Sequence, residues 1–94
     1  MDNADIARVF SGLVDLLELK HENRFKILAY RKAARSVELL SVELEQLVRD
    51  GREKELRDIP GVGEAITKKI VELVNTGKLT LLEKLKAEFP DGKK

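Results

Sequence analysis

The chain has 94 residues, a formal net charge of +1 and no cysteine. That is the size of one domain with one modest core, and it leaves no disulfide, thiolate metal site or cysteine nucleophile. No apolar run approaches the roughly 20 residues that span a bilayer, and the acidic start Met1-Asp2-Asn3-Ala4-Asp5 has no signal-peptide pattern.

Strand signals are absent, so the expected fold is all-α. Ile6, Val9, Phe10, Leu13, Leu16 and Leu17 recur at three- and four-residue spacing, which makes one side of a first helix apolar. Asp2 or Asn3 can cap it. His21-Glu22-Asn23 breaks the pattern, with His21 a solvated corner residue and Asn23 the cap of a second helix. That helix is expected to turn Phe25, Leu28, Ala29, Ala33 and Val37 inward. Its small residues Ala29, Ala33 and Ala34 would let a neighbour approach closely. Phe25 and Tyr30 read as core or edge packing ahead of base stacking.

A short helix is expected near Glu43 to Val48, ended by Gly51. Arg52 to Arg57 and Glu64 to Asn75 read as two further helices, the latter stopped by Gly77. A last helix, capped by Thr80, carries Leu81, Leu82, Leu85 and Phe89 and ends at Pro90. The prediction is a compact bundle of four to five short helices over residues 1–90. Residues 91–94 read as a linker or a cut end.

Charge is unevenly distributed along the chain. Arg24, Lys26, Arg31, Lys32 and Arg35 form a basic stripe with no acid among them, and the sign reverses from Glu38 to Glu45. Such a stripe can hold phosphate even when total charge is near zero, although most are solvated helix faces.

The most informative stretch is Ile59-Pro60-Gly61-Val62-Gly63-Glu64-Ala65-Ile66. Pro60 fixes its own φ, and Gly61 and Gly63 permit positive φ and close backbone approach. A turn of this kind can present unpaired N–H groups beside a helix N-terminus, where the helix dipole also favours an anion. A turn that only reverses the chain is the alternative. Ile59 precedes it, Val62 sits inside it, and Ile66, Ile70, Leu73 and Val74 follow at helical spacing, so the pattern resembles the helix-hairpin-helix motif, which grips DNA backbone without reading sequence.

Two separated motifs then agree. Ala29-Tyr30-Arg31-Lys32-Ala33-Ala34 and Ile59-Pro60-Gly61-Val62-Gly63, followed by Thr76-Gly77-Lys78-Leu79, resemble the small N-terminal domain of family X DNA polymerases, the DNA polymerase beta type. The resemblance runs from about Ile6 to Leu85. The segment Glu38 to Asp50 aligns poorly, and Leu82 to Pro90 resembles the bacterial branch.

The resemblance implies a domain that holds the 5′-phosphate side of gapped or nicked DNA. It is expected to act as a cytoplasmic, nucleoid-associated monomer joined to a polymerase core, with no membrane partner. In several members the domain also removes a 5′-deoxyribose phosphate through a Schiff-base lysine on the second hairpin helix, which matches Lys69. Lys26 matches a phosphate-binding lysine and Tyr30 a tyrosine near the site. Arg31, Lys32, Lys68, Gly61, Val62 and Gly63 would complete the DNA contact. The matching backbone carbonyls of Arg57, Ile59 and Val62 would hold K⁺ or Na⁺. Ala65, Lys68, Leu81 and Phe25 stand where the family carries a basic residue, an acid, a lysine and a histidine.

Lys69 must be neutral to attack an aldehyde, whereas a free lysine has a pKa of about 10.4. Helical geometry puts it at the edge of the face defined by Ile66, Ile70, Leu73 and Val74, where partial burial and Lys68, Lys26, Arg31 or Lys32 could lower that value. A lysine lying along apolar surface with its ammonium in water is the alternative. The polymerase carboxylates are absent. A helical protein-interaction domain without nucleic acid remains the competing reading.

Overall fold

The computed structural model describes residues 1–89. The elements are α1 (Asn3–Leu19), α2 (Arg24–Leu39), α3 (Leu44–Arg49), a 3₁₀ helix (Glu53–Asp58), α4 (Glu64–Thr76) and α5 (Thr80–Glu88). Among the described residues there is no strand, and no helix is long and apolar enough to cross a membrane. Pro90 and residues 91–94 lie outside the described residues.

Each boundary has a local cause. Asp2 caps α1 by accepting from the Asp5 N–H, and Asp5 reaches back to the Asp2 N–H, a reciprocal capping box. At the other end His21 takes the left-handed conformation, φ 61°. The His21 N–H donates to the Glu18 carbonyl and the Glu22 N–H to the Leu17 carbonyl, a Schellman closure in which histidine fills the usual glycine position. Asn23 then caps α2 by accepting from the Phe25 and Lys26 N–H groups. Gly51 and Gly77, with φ 71° and 76°, end α3 and α4.

α1 is the central element and packs against both α2 and α5. Ile6, Phe10, Leu13, Val14 and Leu17 are buried, and Leu16 is buried on the side toward α5. The Phe10 and Tyr30 rings stack with centroids 6.0 Å apart, joining α1 to α2. α3, the 3₁₀ helix and α4 pack against one another and form the second half of the domain.

Three expectations are corrected. Phe25, Leu28 and Ala29 do not enter the core: Phe25 is 82% exposed and the other two face solvent. The buried face of α2 is Tyr30, Ala33, Ala34 and Val37. Phe25 and Tyr30 stand roughly 140° apart around a helix, so they cannot share one face, and the stack on Phe10 selects Tyr30. The segment Glu53–Asp58 is 3₁₀, not α. It is short and runs into Pro60, which disfavours α geometry at Ile59, and the Arg52–Glu55 pair suits the three-residue repeat. Thr80 is the first residue of α5 and not its cap, which is Leu79. The Glu72 carboxylate of α4 instead accepts from the Thr80 N–H at 2.9 Å and from its hydroxyl.

Asn3 has a role beyond α1. It is buried, its Nδ2 donates to the Val42 carbonyl at 2.7 Å, and its Oδ1 accepts from the Leu44 N–H at 2.9 Å. This side chain fixes the connection between α2 and α3. Replacing it by alanine strands a buried Leu44 N–H, so Asn3→Ala should destabilise the domain by about 2 kcal/mol. Urea unfolding followed by circular dichroism measures this.

Candidate nucleic-acid interface

The hairpin turn is built from its own sequence and seated on α2. The Val62 N–H donates to the Ile59 carbonyl at 2.9 Å, which closes a four-residue turn. Ile59 and Val62 are buried and anchor both arms. Gly61 has φ 84°, a value glycine adopts without strain. A Cβ there would lie 2.8 Å from Lys32 Cγ and 3.1 Å from Lys32 Cδ, so the lysine stem occupies the space a side chain would need. One helical turn further on, Ser36 Oγ donates to the Pro60 carbonyl at 2.7 Å. The basic stripe and the Gly-rich motif therefore meet through Lys32. Ser36 was not foreseen, because its partner is 24 residues away in sequence.

Gly63 differs from Gly61. It precedes α4 with φ −93°, and a Cβ there would meet nothing within 4 Å. The first bond into α4 is from the Thr67 N–H to the Gly63 carbonyl, and no side chain caps this end. The N–H groups of Glu64, Ala65 and Ile66 therefore open toward the space in front of Gly63, where the helix dipole favours an anion. Glu64 stands in this first turn and pairs with Lys68 at 4.0 Å, both well exposed.

The remaining cations are distributed over several surfaces. Arg31 pairs with Glu18 of α1 at 2.5 Å. Arg31 and Arg35 line a groove against α1 that also contains Asp15 and Glu38. Lys26 is exposed on α2, and its charge acts on the Tyr30 hydroxyl. Tyr30 itself is 4% exposed, and burial pushes its hydroxyl up while Lys26 draws it down. Its ring belongs to the core, and only the hydroxyl end relates to Lys26.

Lys69 is half-buried on α4, between the buried Ile66 and Ile70 on one side and the exposed Lys68 on the other. The edge position read from helical periodicity holds. The charge of Lys69 acts on Glu72, one helical turn along. The Thr80 hydroxyl, then the Thr80 N–H, hold the Glu72 carboxyl below the usual carboxylate range, and Lys69 adds to this. Glu72 thus links the helix that carries Lys69 to the start of α5.

A short first arm, a Pro-Gly turn and a longer second helix, buried through Ile59 and Val62, define a helix-hairpin-helix domain. The chain belongs to the helix-hairpin-helix domain family, whose model matches residues 1–79. Over 92 residues it is 32% identical to the DNA polymerase/3′-5′ exonuclease PolX of Bacillus subtilis (strain 168), covering 98% of this chain and 15% of that protein. Over 81 residues it is 31% identical to DNA polymerase lambda of Arabidopsis thaliana, covering 86% of this chain and 14% of that protein. The match falls in the N-terminal part of these family X polymerases, and the chain spans a small share of their length.

The Glu72–Thr80 contact gives a pH-dependent expectation. A carboxyl whose folded pKa is depressed contributes stability that is complete above its unfolded pKa and is lost as pH falls through the folded value. Glu72→Gln should lower the melting temperature at neutral pH, and the two curves should converge in acid. Melting temperature against pH for both proteins checks this.

Proposed function

We propose that this chain is the DNA-binding N-terminal domain of a repair polymerase and that it grips the 5′-phosphate side of a gap without reading sequence. The observation that carries this reading is the hairpin turn seated on Lys32, beside an α4 N-terminus that no side chain caps. Backbone N–H groups and one lysine then face a phosphate together, a combination suited to an anion and indifferent to base identity. Lys26 and Lys68 add charge around this centre. Arg31 contributes once its pair with Glu18 is exchanged for a phosphate.

Lys69 is proposed as the lysine of a 5′-deoxyribose-phosphate lyase activity. Its neutral amine attacks the aldehyde carbon C1′ of the ring-opened sugar and expels water to give an imine. Loss of a C2′ proton and cleavage of the C3′–O bond release the strand that begins with the next 5′-phosphate, and water then frees the sugar from Lys69. The half-buried position of Lys69 at the edge of the apolar face of α4 supports this. The carbonyls of Arg57, Ile59 and Val62 are proposed to hold K⁺ or Na⁺. Ile59 spends one lone pair on the Val62 N–H, which leaves the second for a cation.

Two measurements test the binding and the chemistry separately. Binding to 5′-phosphorylated gapped DNA should weaken steeply as salt rises, because phosphate contacts release counterions. Gly63→Val should stay folded, since there is room for its side chain, and should weaken binding about tenfold or more by blocking close approach to the α4 N–H groups, a loss of one or two hydrogen bonds to a charged group. Salt-independent affinity would leave the protein-interaction reading, and full affinity in folded Gly63→Val would remove the hairpin from the binding surface.

Borohydride trapping on DNA that carries a 5′-deoxyribose phosphate should give a covalent adduct with the parent chain. Lys69→Ala should lose the adduct while retaining most of its DNA affinity. An adduct of equal yield in Lys69→Ala would assign the chemistry to another amine.

A further inference from the structure

The turn Ile59–Val62 has a defined hand. Pro60 occupies its second position, and Gly61 its third with φ 84°, which is the type II form. Types I and II differ by a half-rotation of the central peptide, here Pro60–Gly61. The described residues contain no cis peptide bond, so the Pro60 carbonyl and the Gly61 N–H point in opposite directions within one rigid plane. Ser36 Oγ donates to that carbonyl at 2.7 Å, so the carbonyl faces α2 and the Gly61 N–H is directed away from it. In the type I form the two would exchange. The carbonyl, with its partial negative charge, would then project outward and repel a phosphate.

We propose that Ser36 is a positioning residue whose hydroxyl holds the Pro60–Gly61 peptide with its donor outward, keeping the hairpin in its phosphate-accepting form. This rests on the phosphate-binding reading given above. The stem of Lys32 closes the space beside Gly61, but an apolar contact with a residue that has no side chain does not choose between two orientations of a peptide dipole. A hydroxyl that needs an acceptor does. Serine within a helix commonly bonds to the carbonyl four residues back. Here it reaches the turn instead, although it is only half-buried and water is within reach. Gly61 permits the type II form, Lys32 packs against it, and Ser36 selects it.

The test compares the parent with Ser36→Ala and Ser36→Thr. Without DNA, NMR relaxation dispersion at the Gly61 and Val62 amides reports flipping of the central peptide. With DNA, fluorescence anisotropy on a 5′-phosphorylated one-nucleotide gap reports affinity. Ser36→Ala should show new exchange at Gly61 and bind roughly two- to tenfold more weakly, the range of one hydrogen bond. Ser36→Thr, which keeps the hydroxyl, should restore both, with melting temperatures close to the parent throughout. Quiet Gly61 amides in Ser36→Ala would overturn the proposal, as would unchanged affinity in a chain that does bind DNA. Weakened binding that threonine does not restore would also overturn it. A parent that fails to bind the DNA at all would remove the phosphate reading, and the dispersion measurement would still judge whether Ser36 holds the peptide.

Discussion

The contact on which the domain's arrangement depends is the seating of Gly61 against the stem of Lys32. It joins the α1–α2 pair to the group formed by α3, the 3₁₀ helix and α4, within a single continuous core. A glycine is required because any Cβ would fall inside normal van der Waals distance of the lysine stem, and because φ 84° is costly for other residues. The lysine is suited to the opposite role. Its methylenes supply an apolar surface and its ammonium remains in water. One residue therefore packs against the turn and also brings charge to it.

α2 is correspondingly divided lengthwise. Tyr30, Ala33, Ala34 and Val37 face inward, and the two alanines allow α1 to approach closely. Lys32 and Ser36 face the turn. Arg31 and Arg35 face the groove beside α1, whose wall Lys32 also borders. A basic stripe that is continuous in sequence is thus spread over the circumference of a helix, and only part of it borders the hairpin.

The sequence made the helix boundaries legible wherever a local device sets them. Asp2, Asn23, Gly51 and Gly77 each act within a few residues of themselves, so their meaning does not depend on the rest of the fold. The hairpin was legible for the same reason, since Pro60, Gly61 and Val62 define their own turn. What was hidden depends on distant partners. Phe25 could not be placed because nothing near it indicates that Phe10 would claim Tyr30. Asn3 resembled a second capping residue, whereas its partners are on Val42 and Leu44. Thr80 had the composition of a cap, but the carboxylate it meets belongs to Glu72, which lies across the α4–α5 joint. The 3₁₀ form of Glu53–Asp58 reflects the brevity of the segment and the proline after it more than the helix preference of its residues.

Ion pairing determines how such a surface would meet a charged polymer. Arg31 is held by Glu18, Lys68 by Glu64 and Arg49 by Glu45, within a chain whose net charge is +1. With so small a net charge, the field of the domain as a whole is weak beyond the roughly 8 Å over which physiological salt screens a charge. Net charge therefore contributes little to drawing in a polyanion from a distance, and the basic residues act locally. At contact, phosphates would replace carboxylates as partners of Arg31 and Lys68, and an intramolecular ion pair would be exchanged for an intermolecular one.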